Sequence, residues 1–171
     1  MYKKVGISKV KVTKRQTNSK NCFICGLDNV LGVQAPFYEM EDGSVCTVFK
    51  FKPEHQSYPG RVHGGIITAM LDELAGRVYW IKDPNMYAVT TSLETKFRKP
   101  VPYDVELKGI GVLTKDTSRA YEAVATIMTM EGDLLATATM KYMKLSPEQI
   151  SSVDMDEEMC YNIEDGVTSI K

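Results

Sequence analysis

The sequence predicts an α+β fold in which one antiparallel sheet of about six strands wraps around a single central helix. Apolar and polar residues alternate with period two over residues 88–145, which is typical of half-buried strands. Residues 65–82 instead repeat apolar side chains at intervals of three and four, as a helix does. Short turns separate the predicted strands and imply antiparallel neighbours, so a sheet folded around the helix buries both.

A length of 171 residues suits one ordinary domain with a single core. We expect a basic N-terminal extension over residues 1–20, the folded domain over residues 21–145, and an acidic tail with a short helix over residues 146–171. The first segment has seven basic residues and no acid, and the last has seven acids and one lysine. We expect solvated tails that fray beyond Asp154, with contact between the ends or with another subunit as the alternative.

The first two strands lie on either side of a tight turn, Glu41–Ser44. The segment VQAPFYEM precedes the turn and VCTVFKFKP follows it. In the second strand one face is predicted to carry Val45, Thr47, Phe49 and Phe51. The pair is therefore predicted to form a hairpin.

The central helix follows a polar loop, HQSYPGR, at residues 55–61. Its buried stripe is predicted from apolar residues spaced four, three and four apart: Ile67, Leu71, Leu74 and Val78. The opposite stripe consists of small residues and one carboxylate: Gly65, Ala69, Asp72 and Gly76. Small side chains allow a ligand or another backbone to approach closely, with Asp72 projecting into that contact.

Four more strands follow the helix: VTTSLETKF, YDVELKGIGVL, AYEAVATIMTM and LLATATMKYMKL. In the first of them, alternation predicts that one face carries Val89, Thr91, Leu93, Thr95 and Phe97. Ser146 followed by Pro147 is typical of a helix start, so a short helix is predicted after the last strand.

Composition and charge exclude several classes of protein. A net charge of -1 removes the electrostatic basis for binding nucleic acid. No apolar run is long enough to span a bilayer, and the first residues do not resemble a signal peptide. The four cysteines follow no disulfide framework, which agrees with a reducing compartment. We therefore expect a cytoplasmic protein with neither a nucleic acid nor a membrane as partner.

The start of the central helix offers a binding site for a polar oxygen. Gly64 and Gly65 place backbone N–H groups where no intrahelical acceptor exists, and neither residue carries a side chain. A substrate carbonyl held there is polarised. Asp72 lies roughly 10 Å further along the helix, too far to serve a small carbonyl bound to the same chain. We therefore expect the acid to come from a second copy, in at least a dimer.

These residues resemble the signature of hotdog-fold acyl-CoA thioesterases of the phenylacetate-pathway type, in which His-Gly-Gly opens the central helix. The sequence His63–Gly65 matches this motif, and Asp72 falls seven residues after the second glycine, as in the family. The segment VTTSLETKFRKPVP resembles the family's next strand, which ends in a basic-Pro turn. The resemblance covers roughly residues 21–145 and implies a hotdog hydrolase that forms a homodimer or, as a dimer of dimers, a homotetramer. We expect no cofactor.

The resemblance also implies hydrolysis of an acyl-CoA thioester to a free acid and coenzyme A. By position, Gly64 and Gly65 hold the thioester oxygen, and Asp72 of the partner subunit is the nucleophile or general base. Glu73 is the alternative acid, because several relatives use glutamate.

The same resemblance gives roles to residues around the helix. His63 shapes or hydrogen-bonds the loop, Gln56 helps to place substrate or water, and Thr90 carries a hydroxyl that positions the water. The phosphates of coenzyme A are expected to bind two cations, Arg98 and Lys99.

Two other functions remain open. Hydration or dehydration of an enoyl thioester on this fold requires a histidine and an acid that face each other, and only His55 and His63 are available. A non-catalytic acyl-CoA-binding protein is the other alternative. Cys22 and Cys25 have the Cys-x-x-Cys spacing of zinc ligands, but no second such pair occurs, so we expect no metal.

Overall fold

The structure, a computed structural model, describes residues 9–152 and 154–171. These residues form one antiparallel sheet against which the longest helix, α1 (Gly64–Gly76), packs. The strands are β1 (Val10–Arg15), β2 (Tyr38–Met40), β3 (Val45–Phe49), β4 (Tyr87–Phe97), β5 (Leu107–Asp116), β6 (Ala120–Thr129), β7 (Leu134–Leu145) and β8 (Ser169–Ile170). Their order across the sheet is β4-β7-β6-β5-β3-β2-β1-β8. The α+β prediction is confirmed, with eight strands in the described ranges where about six were expected.

Short helical segments complete the described chain. A 3-10 segment, Arg77–Ile81, continues α1, and another, Pro53–His55, precedes it. Two single-turn helices follow β7, α2 (Pro147–Ile150) and α3 (Met155–Glu158). The predicted helix after Ser146 is confirmed as α2. Over the residues that the structure describes, no helix is both long and apolar enough to cross a membrane.

The predicted buried stripe is confirmed, because its four apolar side chains, three in α1 and Val78 in the 3-10 segment after it, are each at most 3% exposed. The helix lies across β5, β6 and β7. Gly111 of β5 permits this close packing: a Cβ atom there would lie 2.7 Å from the Leu74 carbonyl oxygen and 2.9 Å from Val78 Cγ1. The contact fixes the height of α1 above the sheet.

The predicted hairpin is also confirmed, as β2 and β3 joined by residues 41–44. Glycine suits this turn because Gly43 has a φ of +80°, a conformation that residues with a side chain rarely adopt. The four residues predicted to share one face of the second strand are all buried in the core: Val45, Thr47, Phe49 and Phe51.

Strand β4 forms one edge of the sheet and contains a β-bulge. Its pairing with β7 shifts register between Thr90 and Ser92. The bulge moves the alternation by one residue, so that Thr90 and Thr95 both reach α1, where they bond Asp72 and Thr68. The predicted strict alternation is therefore wrong at Thr91, whose hydroxyl bonds the neighbouring strand β7.

The two described chain ends contact each other. Strand β8 pairs with β1, and the Arg15 guanidinium lies 2.7 Å from the Asp165 carboxylate. Asn18 and Tyr161 pair in an isolated antiparallel bridge. The expectation of solvated, frayed tails is wrong for these residues, because backbone pairing and opposite charges hold the acidic end against the basic one. Strands β1 and β8, which the sequence analysis did not predict, both belong to this contact between the chain ends.

Candidate active site

Two cavities lie beside β4. The first, the helix-start cavity, has a volume of about 410 Å³ and is lined by Gly64, Phe97, Arg98 and Lys99 among others. The second, the Asp72 cavity, has a volume of about 330 Å³, and its lining includes Asp72, Thr90, Trp80, Tyr121 and Tyr142. The N-terminal half of β4 borders the Asp72 cavity, and its C-terminal end borders the helix-start cavity.

The Asp72 carboxylate is held in place by two hydroxyl groups. Its Oδ1 atom accepts hydrogen bonds from Thr90 Oγ1 at 2.8 Å and from the Tyr142 hydroxyl at 2.9 Å. The Tyr142 hydroxyl also lies 2.8 Å from the Asp72 carbonyl oxygen. Asp72 is half-buried and has no ion pair among the described residues. The carboxylate is therefore oriented through one oxygen, while no described donor occupies the other.

A stack of tyrosine rings supports this carboxylate. The rings of Tyr142 and Tyr121 lie 4.7 Å apart, and those of Tyr121 and Tyr79 lie 4.9 Å apart. Burial raises the pKa of Tyr142 well above its ordinary value, and the negative charge of Asp72 raises it further. Tyr142 therefore keeps its proton at neutral pH and remains a donor to Asp72.

Glu73, the neighbouring acid, is engaged elsewhere. Its Oε1 atom accepts a hydrogen bond of 2.8 Å from Arg77 Nε. Arg77 is only 2% exposed, and its guanidinium lies 4.4 Å and 4.7 Å from the ring centroids of Phe37 and Trp80. This buried ion pair restrains Glu73, so Asp72 is the less restrained of the two acids. The role of Glu73 as alternative acid stays a prediction.

The start of α1 has one free donor and one capped donor. His63 is the extended N-cap, and its Nδ1 atom accepts a hydrogen bond of 2.9 Å from the Gly65 N–H. This bond requires His63 Nδ1 to be unprotonated. The Gly64 N–H has no acceptor among the described residues. Gly64 therefore has a donor available for a ligand, whereas the Gly65 donor is taken up by His63.

Gln56 and His55 bond within the protein. Gln56 Oε1 accepts a hydrogen bond of 3.0 Å from the Tyr103 hydroxyl, which in turn accepts one of 3.1 Å from the Gly60 N–H. Gln56 lines neither cavity. His55 is 1% exposed, its Nδ1 accepts from the Lys52 N–H at 3.0 Å, and its Nε2 lies 2.8 Å from the Leu31 carbonyl oxygen. Both of its nitrogens are used, so His55 holds the loop together.

Three cations line the helix-start cavity. Lys99 pairs with Asp133 at 2.9 Å, with both side chains exposed. Among the described residues Arg98 has no ion pair. Arg61, which the sequence analysis did not single out, lies on the same wall. The sequence gives little indication that Arg61 lines a cavity, because a lone arginine in a polar loop is usually solvated.

Six of the predicted site residues thus line two separate cavities in one chain, whereas Gly65, His63 and Gln56 line neither. Asp72, Glu73 and Thr90 lie at one cavity, and Gly64 lies at the other with two predicted cations, Arg98 and Lys99. Tyr142 was missed, because strand alternation places it on the inner face of β7 without showing which helix residue it meets. Strand order across the sheet decides that contact.

Comparison with known proteins finds thioesterases that are similar to this chain in sequence and in fold. The family model "Thioesterase superfamily" matches residues 59–136, a segment that contains the start of α1, Asp72 and all of β4. Over that segment the chain is similar to the thioesterase superfamily. Its sheet and single long helix form the hotdog fold of that superfamily.

The thioesterase relatives cover most of the chain. It is 27% identical over 138 residues to the acyl-coenzyme A thioesterase THEM4 of rat and, at the same identity, to that of mouse. This match includes 80% of the chain but only 59% of each relative, so the chain spans less than two thirds of their length. Among crystal structures, the thioesterase superfamily protein RHA08564 is 25% identical with a TM-score of 0.65, over 70% of this chain and 58% of that one.

A second crystal structure, the BH2602 protein of Bacillus halodurans with CoA, has the same fold. It is 24% identical with a TM-score of 0.59, over 66% of this chain and 75% of its own.

Proposed function

We propose that this protein hydrolyses acyl-CoA thioesters to a free acid and coenzyme A, as a homodimer in which each active site combines both subunits. The observation that carries the proposal is the Asp72 carboxylate, oriented in a cavity by two hydroxyl donors and free of ion pairs within the described residues. Such an acid is suited to attack a carbonyl carbon or to activate water. The name of the rat and mouse relatives supports the choice of substrate.

The position of β4 supports a site that is shared between subunits. Strand β4 is an edge strand, so its outer N–H and C=O groups are available to another strand. Antiparallel pairing of β4 with its copy about a two-fold axis places the start of one strand beside the end of the other. Because the two cavities lie beside opposite halves of β4, this pairing brings the Asp72 cavity of one subunit toward the helix-start cavity of its partner.

Apolar side chains on β4 give a second reason for this pairing. Val89, Leu93 and Phe97 are 38%, 41% and 55% exposed. Large exposed apolar side chains on an unpaired edge strand are typical of an interface. A homodimer covers them and completes the site. Association of two such dimers into a homotetramer is compatible with this arrangement.

The chemistry follows from the two halves of the site. The thioester oxygen accepts a hydrogen bond from the Gly64 N–H, joined by Gly65 when His63 releases it, and negative charge that develops on this oxygen is stabilised there. Asp72 of the partner either attacks the carbonyl carbon or takes a proton from the attacking water. The carbon–sulfur bond breaks, coenzyme A leaves as the thiol, and water supplies the oxygen and protons of the products.

The other residues near the two cavities take supporting roles in this scheme. Thr90 and Tyr142 orient Asp72, and Gln56 stabilises the loop before α1 through Tyr103. Arg98, with Lys99 and Arg61 nearby, supplies positive charge for the phosphates of coenzyme A. All four cysteines are free thiols, which supports the proposal that the enzyme acts in the cytoplasm.

The test is release of free thiol from a panel of acyl-CoA substrates with short, long and aromatic acyl groups. Asp72→Asn removes the reacting charge while keeping the size of the side chain and its acceptor for Thr90. We expect kcat to fall by roughly 10²- to 10⁴-fold. Glu131→Gln is the matched control, because Glu131 is an exposed acid in the turn between β6 and β7.

The melting temperature of both variants should remain close to that of the wild type. Unchanged turnover in Asp72→Asn would disprove the role of Asp72. Tight binding of acyl-CoA that survives incubation intact would instead identify a non-catalytic binding protein.

A further inference from the structure

We propose that Cys22, Cys25 and Glu73 form a zinc site beside the Asp72 cavity. Their ligand atoms, two sulfurs and one carboxylate oxygen, lie within 4.8 Å of one another. Cys22 Sγ lies 3.8 Å from Glu73 Oε2. In a tetrahedral zinc site, Zn–S bonds of about 2.3 Å and Zn–O bonds of about 2.0 Å place neighbouring ligand atoms roughly 3.5–3.8 Å apart. The three groups are therefore already near the separation that the ion requires.

The turn that carries the cysteines is built to hold a sulfur. The Ile24 N–H points at Cys22 Sγ over 3.4 Å, and the Gly26 N–H donates to the Cys22 carbonyl oxygen at 2.8 Å. A Cβ atom on Gly26 would lie 2.4 Å from that carbonyl oxygen, so only glycine permits the turn. Backbone N–H groups directed at a sulfur favour its thiolate form, which is the form that binds metal.

A buried asparagine fixes this turn to the body of the protein. Asn18 is 1% exposed, and its Nδ2 donates to the carbonyl oxygens of Cys25 at 2.7 Å and Ala35 at 2.9 Å. Ser19 Oγ lies 3.3 Å from Cys25 Sγ, next to the same turn. The two sulfurs are thus held by packing and hydrogen bonds against α1.

Charge balance favours a divalent cation at this place. Two thiolates and the Glu73 carboxylate carry three negative charges, which a divalent ion and the Arg77 guanidinium neutralise. Arg77 Nε bonds Glu73 Oε1, and Oε2 is the oxygen nearer to Cys22. A ligating carboxylate whose second oxygen is held by a hydrogen bond is the usual arrangement around protein metal ions. Arg77 therefore positions the ligand.

The ligand types select zinc over the other common divalent ions. Thiolates favour zinc over magnesium, calcium and manganese, which prefer oxygen ligands. Three protein ligands leave one tetrahedral position for a water or for the Ser19 hydroxyl. A bound ion would connect the turn at residues 22–25 to α1 one residue from Asp72. It would thereby stiffen one wall of the Asp72 cavity.

The experiment measures metal content and does not depend on thioesterase activity. The 171-residue protein is purified in reducing buffer without chelator, incubated with equimolar zinc chloride and desalted, and its metals are quantified by mass spectrometry. We expect one zinc per chain. Cys22→Ser, Cys25→Ser and Glu73→Gln should each lose most of it, while the control Cys160→Ser, at an exposed cysteine outside the cluster, should keep it.

A second measurement covers the case in which a variant fails to fold. Wild-type protein loaded with cobalt should show thiolate-to-cobalt charge-transfer absorption and the visible bands of a tetrahedral ion, and zinc should abolish both. Zinc should also protect Cys22 from alkylation by iodoacetamide. Wild-type zinc content no higher than that of the double variant Cys22→Ser/Cys25→Ser would overturn the proposal. A Cys22–Cys25 disulfide in the reduced, zinc-incubated protein would overturn it too.

Discussion

Asp72 and Glu73 are adjacent in the sequence, but their surroundings give them different chemistry. Glu73 is paired with a buried guanidinium, and Asp72 bonds only hydroxyl groups among the described side chains. Hydroxyl donors orient a carboxylate without neutralising it. This difference makes Asp72 the stronger candidate for a reacting group.

The Tyr142 hydroxyl is predicted to matter through Asp72. Tyr142→Phe removes one of two donors to the carboxylate and keeps the ring that stacks on Tyr121. A hydrogen bond to a charged group is worth about 1.5–3 kcal/mol, so we expect kcat to fall by roughly ten- to a hundredfold. Steady-state thiol release measures this effect.

The matched control for Tyr142 is Tyr161→Phe, because the Tyr161 hydroxyl bonds Asp28, outside both cavities. Equal activity in the two variants would show that the orientation of Asp72 does not depend on Tyr142.

Sequence alone identified Asp72 and Thr90 but did not connect them. Asp72 was found from helical spacing, which is a local signal, and Thr90 from the family resemblance. Their hydrogen bond depends on a bulge in β4, and a single irregular residue leaves no periodic signal. The contact of Glu73 with Cys22 was equally hidden, since the residues are 51 positions apart and belong to different elements.

At the scale of elements, the contact between α1 and β5 depends on the absence of a side chain at Gly111. Gly111→Ala would force a methyl group to 2.7 Å from the Leu74 carbonyl oxygen, which is backbone and cannot rotate away. We expect a loss of about 1–3 kcal/mol in the free energy of unfolding, as for other overpacked cores. Urea denaturation measures it.

Thr114→Ala, at an exposed position of the same strand, is the control for Gly111→Ala and should change stability little. A urea midpoint of Gly111→Ala equal to that of the wild type would contradict the prediction. It would mean that α1 can shift away from β5 without loss of stability.

Regular elements were predicted well because their signals repeat along the chain. The buried stripe of α1, the β2–β3 hairpin and the four long strands after α1 all carry several periodic residues each. Strand β8 has two residues and β1 is rich in lysine, so neither differs from a solvated tail in the sequence. Both strands form because backbone pairing with a strand distant in the sequence stabilises them, although their own residue pattern does not favour a strand.

For the whole molecule, the contact between the chain ends is predicted to make stability depend on pH. Burial raises the pKa of Asp165, but hydrogen bonds from Tyr38 and the Val167 N–H and the charge of Arg15 outweigh it and hold the pKa below its ordinary value. The contribution of Asp165 is therefore present above pH ~4, the ordinary range of an aspartate, and is lost as pH falls through the folded-state pKa.

Asp165→Asn should accordingly lower the free energy of unfolding at pH 7, and its difference from the wild type should shrink as the solution is acidified. Urea denaturation at a series of pH values gives this difference. Glu164→Gln changes net charge by the same amount at a residue with no ion pair in the described chain, so it serves as the control. A pH-independent difference for Asp165→Asn would contradict the prediction.

The proposed sharing of one active site between two subunits is tested at the scale of the whole assembly. Gly64→Pro removes the free N–H at a helix position that accepts proline, after a His63 whose ψ of 133° suits a following proline. Gly64→Pro and Asp72→Asn should each be nearly inactive. Random mixing makes half of all dimers mixed, each with one intact site, so co-expression should restore about a quarter of wild-type activity.

Purification through two different tags separates the mixed dimers, whose activity per dimer is expected to be about half that of the wild type. If the mixed dimers were inactive, each site would take Asp72 and the Gly64 N–H from the same chain. That result would disprove the shared site.

The Asp72 cavity also contains the chain's only tryptophan, Trp80, whose Nε1 donates to the Met86 carbonyl oxygen and whose ring lies against Arg77. An indole is the dominant ultraviolet fluorophore of a protein, and its emission responds to solvent and to neighbouring charge. Molecules that enter or leave this cavity therefore alter a native optical signal, and occupancy becomes observable in the unlabelled protein.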